Sequence, residues 1–157
     1  MFANILVPLD GSELGERALS LAQSLAKSSG ATIHLLHSVS RRPELEATRG
    51  GSAIVSIQAV EVEMGLARQL IEMQQKQGGE YLERVAAKIR NAGIRVELAV
   101  TEGAAGDNIV DYARDHGIDL IVMSTRGHGG IKRLFVGSVT DGVIRSGHVP
   151  VLVVPPS

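Results

Sequence analysis

At 157 residues the chain has the size of one ordinary domain, long enough to bury roughly 70% of its unfolded surface without a covalent staple. It has no cysteine, which removes disulfides, thiolate catalysis and cysteine-ligated metals, and which fits a reducing compartment. A net charge of −1, 3% aromatic residues and no tryptophan leave neither an electrostatic footprint nor a stacking platform for nucleic acid.

The opening Met1-Phe2-Ala3-Asn4-Ile5-Leu6-Val7-Pro8 has a short apolar run and no basic leader, so it does not read as a signal peptide. No stretch approaches the ~20 apolar residues that span a bilayer. No membrane partner is expected, and the cytoplasm is the expected location. Ile5–Leu9 reads as a strand covered on both faces, ending in Asp10-Gly11-Ser12. Leu14, Ala18, Leu21, Ala22 and Leu25 then recur at helical spacing, with Ser12 as N-cap and Gly30 as stop. Thr32–Val39 is a second strand. Residues 41–57, with Pro43, Gly50, Gly51 and Ser52, read as a mobile surface loop.

From Gln58 to Asn91 the pattern is helical, with packing stripes at Leu66, Leu70, Met73 and at Leu82, Val85, Ala86, Ile89, and a break or bend at Gly78-Gly79. Gly93 closes it, and Ile94–Val100 alternates like a strand. Ile109, Tyr112, Ala113 and His116 mark a helix between Gly106 and Gly117. Ile118–Met123 is a fourth strand, Val139, Val143 and Ile144 mark a short helix stopped by Gly147, and Val149–Val154 is the last strand. The order βαβ–loop–αβαβ–loop–αβ predicts an α/β fold. The expected form is one domain over residues 1–157, an open, mostly parallel five-stranded sheet with helices on both faces.

In such sheets ligands bind beyond the carboxyl ends of the strands. Pro8-Leu9-Asp10-Gly11-Ser12, His37-Ser38-Val39 and the run from Met123 to Gly130 all fall there. That last run, Met123-Ser124-Thr125-Arg126-Gly127-His128-Gly129-Gly130, continues to Gly137-Ser138-Val139-Thr140. Glycines let backbone N–H groups approach an anion, and Gly137-Ser138 opens a helix whose amino end favours phosphate. Ser138 is read both as helix cap and as phosphate donor. Ser138 and Thr140 add hydroxyls, and Arg126 and His128 add positive charge. No Walker A loop is present, and Lys132 stands where a dinucleotide fingerprint begun by Gly127-His128-Gly129 needs its third glycine. The five histidines show no metal-ligand spacing, and no serine, histidine and carboxylate are placed as a triad.

Ser124-x2-Gly127-x9-Gly137-Ser138 resembles the ATP-binding pattern Gly-x2-Gly-x9-Gly-Ser/Thr of the universal stress proteins, with Ser124 in place of the first glycine. The opening NILVPLDGS and the closing GSVTDGVIRSGHVPVLVV are similar to the same family, so the resemblance covers the whole chain. It implies a Rossmann-like fold, akin to the adenine nucleotide alpha hydrolases. It also implies ATP as ligand, with Mg²⁺ as its optional companion. Asp10 would contact ribose, Pro8 and Leu9 would line the adenine pocket, and Val39 would meet adenine through its backbone. Met123, Ser124, Gly127, His128, Gly137, Ser138, Val139 and Thr140 would surround ribose and phosphates. The resemblance further implies a homodimer formed by antiparallel pairing of Val149–Val154. Three functions are compatible with these residues: an ATP-dependent regulatory switch read by a protein partner, a slow ATPase or phosphotransferase, and a nucleotide-free dimeric interaction module.

Overall fold

The computed structural model describes residues 1–41, 57–125 and 137–155. The elements run β1 (Asn4–Pro8), α1 (Glu13–Ser29), β2 (Thr32–Val39), α2 (Ile57–Asn91), β3 (Val96–Glu102), α3 (Ala105–Asp115), β4 (Leu120–Ser124), α4 (Ser138–Ser146) and β5 (Val151–Val154). The strands form one sheet in the order β3-β2-β1-β4-β5, and all four pairings are parallel. Parallel strands need crossover connections, and the helices supply them.

Strand side chains alternate between faces, so each strand feeds two cores. Ile5, Val7, Ile33, Leu35 and Val122 pack with Ala18, Leu19 and Ala22 of α1 and Leu82, Val85, Ala86 and Ile89 of α2. Leu6, Leu36, Ile121 and Met123 pack with Ile109, Tyr112 and Ala113 of α3 and Val143 of α4. The helices therefore cover both faces of the sheet. Burying one such aliphatic side chain stabilises the fold by about 1.5–3 kcal/mol.

Local signals set the helix ends. The Ser12 hydroxyl accepts the Gly15 N–H at 3.0 Å, a cap worth about 1 kcal/mol. Gly30 and Gly147 end α1 and α4 in the left-handed region. Three expectations change. Gly137, not Ser138, takes the cap position of α4, and Ser138 is the first helical residue. The helix α2 runs through Gly78-Gly79 without a break. The stripe Leu66, Leu70, Met73 does not pack into the core: Leu66 is 61% and Met73 50% exposed. Of the expected mobile loop, residues 42–56 lie outside the described residues. Among the described residues, no helix is long and apolar enough to cross a membrane.

Candidate functional site

The order β3-β2-β1-β4-β5 reverses direction between β1 and β4, because the chain leaves β1 toward β2 and leaves β4 toward β5. The two sets of connections diverge there and open a crevice at the carboxyl ends. A cleft of about 840 Å³, open mouth included, occupies that crevice. Pro8, Leu9 and Asp10 after β1 form one wall, and Met123 and Ser124 at the end of β4 form the next. Gly137, Ser138, Val139 and Thr140 at the start of α4 complete the cleft. Nine of the expected site residues thus meet in one place.

Around Asp10 the backbone turns sharply. Gly11 sits at φ +85°, a conformation that side chains disfavour. The turn brings the Ser12 N–H to Asp10 Oδ1 at 3.0 Å and the Ser12 hydroxyl to the same oxygen at 2.5 Å. The Ser12 oxygen also accepts the Gly15 N–H, so the helix cap and the carboxylate form one short relay. A Cβ on Gly15 would stand 2.8 Å from Asp10 Oδ1, so α1 needs a glycine here to leave the carboxylate its place.

The helix α4 starts at Gly137, with no side chain among the described residues capping it. The first N–H groups of a helix have no partner within it and carry partial positive charge. Those of Ser138, Val139 and Thr140 belong to residues that line the cleft. Apolar side chains complete the lining: Leu36 of β2, Ile109 of α3 and Met123. The lining of the cleft therefore combines a carboxylate, a set of apolar side chains and a helix amino terminus.

Val39 is not on this wall. Its carbonyl accepts the Gly103 N–H at 2.9 Å, which extends the β2–β3 pairing, and its side chain is buried. Ser38 lines the cleft instead. Alternation explains the difference: Ser38 shares the face of Leu36, whereas Val39 shares that of Leu35. Arg126, Gly127, His128 and Gly129 lie outside the described residues. Thr125, just before them, is 1% exposed, and among the described residues its hydroxyl has no hydrogen-bond partner. Ser12, Gly15, Leu36, Ser38, Ala105 and Ile109 line the cleft without having been singled out as site residues. Strand parity was the available signal for Ser38, while Ile109 reads as a packing position on α3. Among the described residues, no group of three or more histidine or carboxylate side chains is placed to hold a metal ion.

The Universal stress protein family model matches residues 1–155. Universal stress protein YxiE of Bacillus subtilis is 32% identical over 154 residues, covering 98% of this chain and 99% of the relative. The solved structure of the hypothetical protein MJ0577 superposes with a TM-score of 0.79 at 25% identity, over 100% of this chain and 98% of that one. Two more distant structures share the fold. One is a universal stress protein in complex with cAMP, with a TM-score of 0.65 and 21% identity over 99% and 98% of the two chains. The other is the universal stress protein from Archaeoglobus fulgidus in complex with dAMP, with a TM-score of 0.61 and 22% identity over 97% of each chain.

Proposed function

The chain belongs to the universal stress protein family, and from that premise we propose that its cleft binds ATP as a regulatory ligand. One observation carries the reading. One cleft at the sheet's switch point is lined by a carboxylate with its serine, by apolar side chains and by the first turn of α4. The α4 end suits a polyanion. Asp10 suits a ribose hydroxyl, which can donate to it. Leu36, Ile109 and Met123 suit the flat apolar faces of a base. The cAMP and dAMP complexes of fold relatives support an adenine nucleotide in particular.

In this reading Gly137, Ser138, Val139 and Thr140 hold phosphate, and Arg126, Gly127, His128 and Gly129 serve the same end of the ligand. Mg²⁺, when it accompanies ATP, rests on the phosphate oxygens. Bound ATP favours one state of the protein through its differential affinity, and a partner reads that state. The test is thermal. ATP at 100 times its Kd is expected to add about 2.7 kcal/mol of stability, with AMP adding less at equal concentration. Absence of any shift in Tm at millimolar ATP overturns the proposal.

We also propose that two copies pair through β5. This strand is at the sheet's edge, and Val151–Val154 are all half-buried. An apolar edge strand is a template for pairing with another chain. Light scattering is expected to give a dimeric mass, and replacement of Val153 by proline, which removes a backbone donor, should shift it toward the monomer. A monomeric mass for the unaltered protein overturns the assignment.

A further inference from the structure

The break expected at Gly78-Gly79 is instead a contact. Gly78 is buried in the middle of α2, and a Cβ placed on it would stand 2.6 Å from Cδ2 and 3.3 Å from Nε2 of His37. Glycine inside a helix is less stable than alanine, and here its missing side chain is the space an imidazole occupies. On its other side the ring meets β1: His37 Nδ1 lies 2.9 Å from the Leu9 carbonyl oxygen. A carbonyl can only accept, so Nδ1 carries the proton. The Tyr81 ring stands edge-on to the imidazole, centroids 6.1 Å apart at 65°. Tyr81 is itself tied to α1, its hydroxyl donating to Glu16 at 3.1 Å. Burial first, and the Glu16 carboxylate second, push its phenol pKa up, so it stays a donor. The imidazole is thus bounded by β1, by α2 and by an aromatic ring.

What the imidazole holds is the cleft wall. The Leu9 N–H donates to the Leu36 carbonyl at 2.8 Å, so with His37 both backbone polar groups of Leu9 are engaged. The peptide that follows leads directly to Asp10. Rotating that peptide would break the His37 bond, and with it the placement of the Asp10–Ser12 relay. We propose that His37 is a positioning residue: through the Leu9 carbonyl it sets the Leu9–Asp10 peptide for the nucleoside end of the ligand, and Gly78 is what admits it. The assignment rests on the adenine-nucleotide reading of the cleft. It makes α2, which lies across the sheet from the cleft, a determinant of nucleotide affinity.

Three variants test it. His37→Leu keeps bulk and removes the donor. Gly78→Ala crowds the ring from the α2 side. His37→Asn retains a donor near the Nδ1 position. In the ligand-free proteins the Asp10 amide resonance is expected to move in His37→Leu and Gly78→Ala, and to return toward its original place in His37→Asn. In calorimetric titrations with ATP the first two should bind about five- to tenfold more weakly, as loss of one neutral hydrogen bond implies, and His37→Asn should recover most of that loss. An unmoved Asp10 amide in His37→Leu overturns the positioning role, as does an equal loss of ATP affinity in folded His37→Asn. Absence of ATP binding by the unaltered protein overturns the nucleotide reading instead, and the Asp10 amide still judges the contact between His37 and Leu9.

Discussion

Truncating Leu36 to alanine is expected to cost about 2–5 kcal/mol of stability and to weaken ATP binding in the same protein. The residue is 1% exposed, clusters with Leu6, Ile109 and Met123, and forms part of the cleft wall. Three physical consequences follow from one deletion. Transfer free energy is lost, a cavity is left because neighbours relax only partly, and the packing that supports the cleft's apolar lining is loosened. Its backbone does not change role: the Leu36 carbonyl still accepts the Leu9 N–H, so the wall keeps its frame while losing its lining. Urea unfolding measures the first effect and ATP titration the second. A stability loss below about 1 kcal/mol would mean that the site collapses freely, against the burial described here. Unchanged ATP affinity in a folded Leu36→Ala protein would remove Leu36 from the proposed site.

Acid should destabilise the fold through His34. This imidazole is 6% exposed and lies at the far end of the sheet from the cleft. Asn4 Nδ2 donates to the Gly117 carbonyl, which turns Asn4 Oδ1 toward His34 Nε2 at 3.3 Å. Nε2 therefore carries the proton, and Nδ1 accepts from the Tyr112 hydroxyl at 3.1 Å. The His116 ring stacks on Tyr112 at 3.8 Å and donates from Nδ1 to the Tyr112 carbonyl. Burial is the chief cause holding the His34 pKa below 6.5. Glu97 opposes the shift, and His116 adds to it.

The sign follows directly. The unfolded chain takes up this proton at higher pH than the folded one, so the neutral His34 contributes its full stability above pH 6.5. That contribution is lost as pH falls through the folded value. Unfolding midpoints should therefore drop as the pH is lowered below 6.5 more steeply than in a His34→Gln variant. Tyr112→Phe, which strands the buried Nδ1, is expected to cost about 1–3 kcal/mol near neutral pH. A Tyr112→Phe protein as stable as the original would show that the Tyr112–His34 hydrogen bond contributes nothing.

Much of this architecture is written locally in the chain. Val- and Ile-rich runs bounded by Gly, Pro and Ser mark the strands. Ser12 and Gly30 mark α1 because capping needs one side chain at one position. The alternation of strands and helices leaves few topologies to choose among, which is why the cleft's place at the carboxyl ends was legible. Three features were not, for a common reason: each depends on what another element does. The side chain of Ser38, rather than that of Val39, faces the cleft because β2's parity is fixed by packing against α3. Ile109 doubles as core and wall because α3 lies over the crevice. Gly78 does not break α2, because His37 fills the space that its missing side chain leaves. A helix-breaking residue read alone carries no hint of the partner that compensates it.

The length of α2 has a mechanical consequence. About 32 Å of helix separates Gly78 from Ile57, at 1.5 Å per residue. Beyond Gly78 the exposed Val62, Met64 and Leu66 show that the outer turns lack the anchorage that Leu82, Val85, Ala86 and Ile89 give the rest. At that length a tilt of about 5° about Gly78 would carry the tip by roughly 3 Å. A load applied to that tip would reach the peptide before Asp10 through a single imidazole.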